Sequence, residues 1–206
     1  MDGVISDTQV IHSQVESDLL KEYGLDIHPD EITKKYAGTT SYQMFPHVFQ
    51  TFEKEMPPIE EMVSKKRERI DKAVRGAVRE VPGTRDFINF LKLQNMPTAV
   101  ASASRLSFID LVLSELDLKD KFNAIASSEE VRMGKPEPDV FLLAAERLGA
   151  SPKECLVIED GIHGMVAARK AGMYCVGLVR DDDHDINVYP ADILVKDLRE
   201  VRLEDL

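Results

Sequence analysis

The stretch CLVIEDGIHGMVAARKAG, residues 155 to 172, decides the fold. A short apolar run ends in an acidic pair, and a helix-length amphipathic segment follows it and closes on Gly172 as a C-terminal cap. That is one strand-helix unit of an α/β protein. Four more apolar runs share its character: TAVASA (98 to 103), FNAIAS (122 to 127), YCVGLV (174 to 179) and DILV (192 to 195). Helical patterns at 84 to 95, 105 to 116, 137 to 148 and 162 to 171 separate them. Strands that are apolar on both faces and alternate with helices are buried by crossover connections, so a Rossmann-like, doubly wound parallel sheet is expected.

Upstream the pattern changes. Residues 9 to 78 show no convincing strand; Val15, Leu19 and Tyr23 recur at four-residue spacing before Gly24, and Ile59, Val63, Ile70, Val74 and Val78 mark a long charged helix after Pro57 and Pro58. This reads as an inserted all-helical cap over 9–78, with the core formed by 1–8 and 79–206. The run KKRER (65 to 69) is expected on the solvated face of the long helix, and DDDHD (181 to 185) as an acidic surface loop.

Composition narrows the functional classes. With 206 residues, 43% of them hydrophobic, the chain can bury a sizeable core. Its net charge of -11 repels phosphodiester backbones and anionic membranes, so no nucleic-acid or membrane partner is expected. Only two cysteines occur, Cys155 and Cys175, both in apolar runs, which suits buried free thiols and a cytoplasmic setting. No stretch has the length of a membrane span, and MDGVISD lacks the form of a signal peptide.

In an open parallel sheet, ligands bind beyond the C-terminal strand ends. Ser102 and Ser104 close one strand, Glu159 and Asp160 close another, and Lys135 stands in the loop GKPEPD. At the front, Asp2 and Asp7 flank Gly3 in MDGVISDT. Each alone is ordinary for a turn or a surface loop. Together they supply carboxylates for a hard cation, a hydroxyl donor and a lysine for anionic charge, the inventory of Mg²⁺-assisted phosphoryl transfer. No GxxxxGK[ST] or GxGxxG follows a strand, and no His or Cys cluster has zinc spacing.

In this order, DGVISDT (2 to 8), VASASR (100 to 105), GKPEPDVF (134 to 141) and VIEDGIHG (157 to 164) resemble the haloacid dehalogenase superfamily, in the branch with a helical cap that holds β-phosphoglucomutase and small phosphatases. The resemblance covers essentially the whole chain. It implies Asp2 as general acid and base, with its backbone carbonyl on Mg²⁺. Ser102 would hydrogen-bond the transferred phosphoryl group, Lys135 would neutralise it, and Glu159 and Asp160 would hold the metal. Asp7 would support the loop between core and cap. His12 matches a hinge histidine of the mutase, against packing or solvation as the plain alternative for a lone His. Ser104 and Arg105 match positions that meet a distal phosphate. A monomer acting on a small phosphorylated metabolite is expected.

Two departures shape the expectation. The family motif is Asp-x-Asp-Gly, and Met1 stands at its x. The resemblance therefore implies a chain that extends upstream as an apolar strand ending in the nucleophilic Asp just before Met1. Secondly, Ser41 in AGTTSY stands where the mutase has a cap arginine, which favours a phosphatase working through an aspartyl phosphate. The alternatives are a β-phosphoglucomutase-like phosphohexomutase and a silent phosphate- or Mg²⁺-binding protein. Lys66 and Arg67 are candidate substitutes for the missing grip.

Overall fold

A computed structural model describes residues 1–36, 39–180 and 186–202. The run DDDHD lies outside the described residues. Four helices come first: α1 (Gln9–Lys21), α2 (Pro29–Tyr36), α3 (Ser41–Thr51) and α4 (Ile59–Val74). Their apolar stripes meet in one cluster, where Leu19 and Leu20 of α1, Phe45 and Phe49 of α3, and Met62 of α4 are buried together. The Val15/Leu19 spacing read in the sequence is the inward face of α1.

From Thr84 onward strands and helices alternate: α5 (Thr84–Leu93), β1 (Ala99–Ser102), α6 (Leu106–Glu115), β2 (Ala124–Ser127), α7 (Asp139–Leu148), β3 (Leu156–Glu159), α8 (Ile162–Ala171), β4 (Tyr174–Leu178) and β5 (Ile193–Val195). Every strand pairing is parallel. The architecture is α/β with a helical cap, and Gly172 caps α8 in the left-handed conformation. The sheet, however, is not one ladder. β1 pairs with β2, and β3, β4 and β5 form a second piece; the pieces share a core of Ala99, Ala126, Val157 and Cys175 without being neighbours in a ladder. Among the described residues no strand hydrogen-bonds to both β1 and β3, so side chains hold the two pieces together.

The helical insertion leaves and returns through one gate. The Asp7 N–H donates to the Arg79 carbonyl at 2.8 Å, and the Val81 N–H to the Ile5 carbonyl at 3.0 Å. α4 belongs to both territories. Met62 and Val63 pack in the cap cluster, whereas Ile70 and Val74 pack against Ile109, Val112 and Leu113 of α6. A shared core fixes the cap helix over the strand ends.

Three sequence expectations are corrected. The long helix stops at Val74, not Val78, because Arg75 turns to extended backbone and Glu115 accepts the Gly76 N–H at 2.9 Å. Lys66, placed on the solvated face, points instead between α1 and α3, with its side chain 12% exposed. Cys155 is only half-buried, since it precedes β3 and its thiol reaches the Ser151 carbonyl; Cys175 is fully buried. No helix among the described residues is long and apolar enough to cross a membrane.

Candidate active site

A cavity of about 270 Å³ opens between the C-terminal ends of β1 and β3 and the inner faces of α1 and α4. That is near the small end of ligand pockets, which run from roughly 300 to 1,000 Å³, and suits a small metabolite. Asp2, His12, Ser102, Ser104, Arg105, Lys135, Glu159 and Asp160 all line it. The residues singled out in the sequence thus converge, although they are spread over nearly 160 positions.

Asp2 is held from several sides. Its Oδ1 accepts the Thr8 hydroxyl and lies 3.5 Å from His12 Nε2, while its Oδ2 accepts the Ser104 hydroxyl at 3.0 Å and that of Ser102 at 3.4 Å. Burial alone would raise the Asp2 pKa, but His12 and the Thr8 hydroxyl outweigh it and hold the carboxyl well below the usual range. Asp2 therefore rests ionised. Ser102, at the tip of β1 and 1% exposed, is fixed further by the Ser104 N–H at 3.1 Å.

On the opposite wall, Lys135 is buried and donates to Glu159 Oε1 at 2.7 Å, with its ammonium 4.7 Å from the centre of the Phe141 ring. Burial pushes Glu159 upward, yet the charge and hydrogen bond of Lys135 bring it below its ordinary value. Asp160 is pushed up to about 8, by burial first and then by the charge of Glu159. One lysine does not balance both carboxylates. Two glycines make this packing possible. A Cβ on Gly3, which has φ 74°, would stand 1.8 Å from Asp160 Oδ2, and one on Gly164 would stand 1.7 Å from Glu159 Oε1. Gly164 opens the first turn of α8 under the Glu159 carboxylate, and Gly3 lets Asp160 lie against the backbone next to Asp2.

Among the described residues no three His, Cys, Asp or Glu side chains form a ready-made metal cage. The donor set nevertheless fits Mg²⁺, which keeps several waters and needs only one or two carboxylates, and whose charge would offset the repulsion between Glu159 and Asp160 that, after burial, raises Asp160. Arg105 and Ser104 serve protein contacts as placed: Arg105 grips both carboxylate oxygens of Asp71, and the Ser104 hydroxyl faces Asp2. Asp7 lies outside the cavity lining and stands 3.5 Å from Arg180.

Sequence reading missed Thr8, which orients Asp2, and Glu16, which pairs with Lys66 inside the cavity. Glu16 carried a usable signal, because it sits one helical turn after His12 on the same face of α1. Thr8 carried none.

The chain is similar to known proteins over most of its length. Hexitol phosphatase B of Escherichia coli (strain K12) is 28% identical over 207 residues, covering 100% of this chain and 93% of that protein. Fructose-1-phosphate phosphatase YqaB of the same organism is 29% identical over 178 residues, covering 85% of this chain and 92% of that one. Among solved structures, β-phosphoglucomutase from Clostridium difficile superposes with a TM-score of 0.86 at 24% identity, covering 99% of this chain and 91% of its own, a likeness of fold. The model of the haloacid dehalogenase-like hydrolases matches residues 1–178, and the chain belongs to that family.

Proposed function

We propose that the protein is a Mg²⁺-dependent phosphatase of a small sugar or sugar-alcohol phosphate, acting through an aspartyl phosphate. The observation that carries this reading is the convergence of Asp2, Ser102, Lys135, Glu159 and Asp160 on one small cavity. Relatives that act on hexitol phosphates and on fructose 1-phosphate support it. Residues 1–8 with 79–206 would form the catalytic core and 9–78 the cap that closes over it, in a monomer; the free thiols of Cys155 and Cys175 suit the cytoplasm.

Lys135 and the Ser102 hydroxyl would grip the phosphoryl oxygens and offset their charge. Asp2, ionised at rest, would first take up a proton and pass it to the departing alkoxide oxygen; it would then take one from the water that attacks the phosphoryl phosphorus, so that the proton is restored for the next cycle. The net change is a phosphomonoester and water to an alcohol and inorganic phosphate. The carboxylates of Glu159 and Asp160 and the Asp2 carbonyl would hold Mg²⁺. When bound, it supplies positive charge to the phosphoryl oxygens. The covalent route also needs a nucleophilic carboxylate at the position immediately before Met1.

The test is a protein carrying an apolar strand and Asp ahead of Met1, mixed with substrate and Mg²⁺ and quenched in acid. A phosphoryl group on the peptide that contains this Asp is expected, and its absence when the Asp is replaced by Asn. Phosphate release without any phosphoprotein would overturn the covalent route.

Gly164→Ala probes the metal end. Alanine is the better helix former, but its methyl would collide with a Glu159 carboxylate already tied to Lys135. Mg²⁺ affinity is expected to fall about 10- to 100-fold, as for other disturbed supports of a metal site. Calorimetric titration with Mg²⁺ reads this, and an unchanged affinity would show that Glu159 is not a ligand.

A further inference from the structure

The cap end of the cavity is neutral where a second phosphate would need positive charge. Besides Lys135 and His12, three basic side chains line the cavity, and each is matched by a carboxylate. Lys66 Nζ lies 2.5 Å from Glu16 Oε1, Arg67 lies 3.4 Å from Glu129, and Arg105 holds Asp71.

The first pair differs from the others in burial. Lys66 and Glu16 have side chains 12% and 8% exposed, whereas Arg67 and Glu129 are open to solvent. Lys66 also donates to the Ser41 hydroxyl at 2.9 Å. Burying such a pair contributes little to stability beyond what an apolar pair of similar volume would give, so its place in the cavity wall calls for another reason. An ammonium has three protons and a carboxylate about four acceptor positions. Glu16 and Ser41 take two of the Lys66 protons, and Lys66 takes one of the Glu16 positions. A donor, several acceptors and a hydroxyl are left facing the cavity. That combination pairs with alcohol groups, which both donate and accept.

We propose that Glu16, Lys66 and Ser41 read the hydroxyls of an uncharged carbon skeleton, so that the substrate is a polyhydroxylated monophosphate and a bisphosphate is rejected. This rests on the reading of Lys135 and Ser102 as the phosphoryl end. A second phosphate would have to draw Lys66 away from Glu16, leaving a buried carboxylate against an anion.

Calorimetry on the chain with Mg²⁺ separates the two ends. Inorganic phosphate reports the phosphoryl end alone, and failure to bind it would overturn that earlier reading and this one with it. A hexitol monophosphate is expected to bind at least about tenfold tighter than inorganic phosphate, and tighter than the matching hexitol bisphosphate. Glu16→Gln should remove about 10- to 100-fold of the monophosphate gain and, by freeing the Lys66 charge, improve bisphosphate binding relative to monophosphate by about tenfold. Ser41→Ala keeps the ion pair and should reduce the monophosphate gain without helping the bisphosphate. If phosphate binds but the hexitol adds nothing, or if Glu16→Gln leaves both ratios as they were, the pair is structural and the proposal fails by itself.

Discussion

Replacing Asp2 by asparagine, in protein that carries the upstream Asp, is expected to lower turnover of an alkyl phosphate by about 10²- to 10⁴-fold, the usual weight of a positioned general acid and base. The fold should survive. Thr8, Ser102 and Ser104 approach Asp2 through hydroxyls, which can turn to donate to or accept from an amide. The substrate matters to the outcome. An aryl phosphate, whose leaving group needs no proton, should still form the phosphoprotein, and its hydrolysis should then stall because no base deprotonates the water. A burst of aryl alcohol followed by slow turnover, with an unchanged melting temperature, is the expected record. Equal and complete loss for both substrates would place Asp2 in binding instead.

The second large effect concerns Lys135→Met. The side chain is 4% exposed and its partner Glu159 6%, so removing the cation strands a buried carboxylate. Breaking a buried pair from one side costs about 3 to 5 kcal/mol, or roughly 6 to 20 °C of melting temperature for a chain of this size. Removing both partners in Lys135→Met with Glu159→Gln should recover most of that stability. Phosphate binding should be lost in both proteins, because the charge that faces the phosphoryl oxygens is gone. A double variant as unstable as the single one would mean that Lys135 acts through packing on Phe141, 4.7 Å from its ammonium, and not through Glu159.

Much of the fold is legible in the chain because the α/β half obeys local rules. Short apolar runs form β1 to β5, each of three to five residues, and Gly172 ends α8 where the pattern ends. Residues at strand tips share one edge by topology, so the strand pattern alone is enough to bring Ser102, Glu159 and Asp160 together. The cap is harder to read. The Lys66–Glu16 and Arg105–Asp71 pairs join positions 50 and 34 residues apart, and no local pattern links them. KKRER has the composition of a solvated face, yet the step of about 100° between neighbouring helical residues decides which of its charges enters the cavity. The break between β1 and β3 does not show in the strand patterns, which mark each run but not its neighbour; β1 and β3 each pair with a named strand on one side only.

The direct test is release of inorganic phosphate from sugar and sugar-alcohol monophosphates, with and without Mg²⁺, by protein carrying Asp immediately before Met1. Release that depends on Mg²⁺ and disappears with Lys135→Met is expected. No release from any member of such a series, in protein that is folded and binds phosphate, would contradict the assignment of this cavity as a phosphatase site.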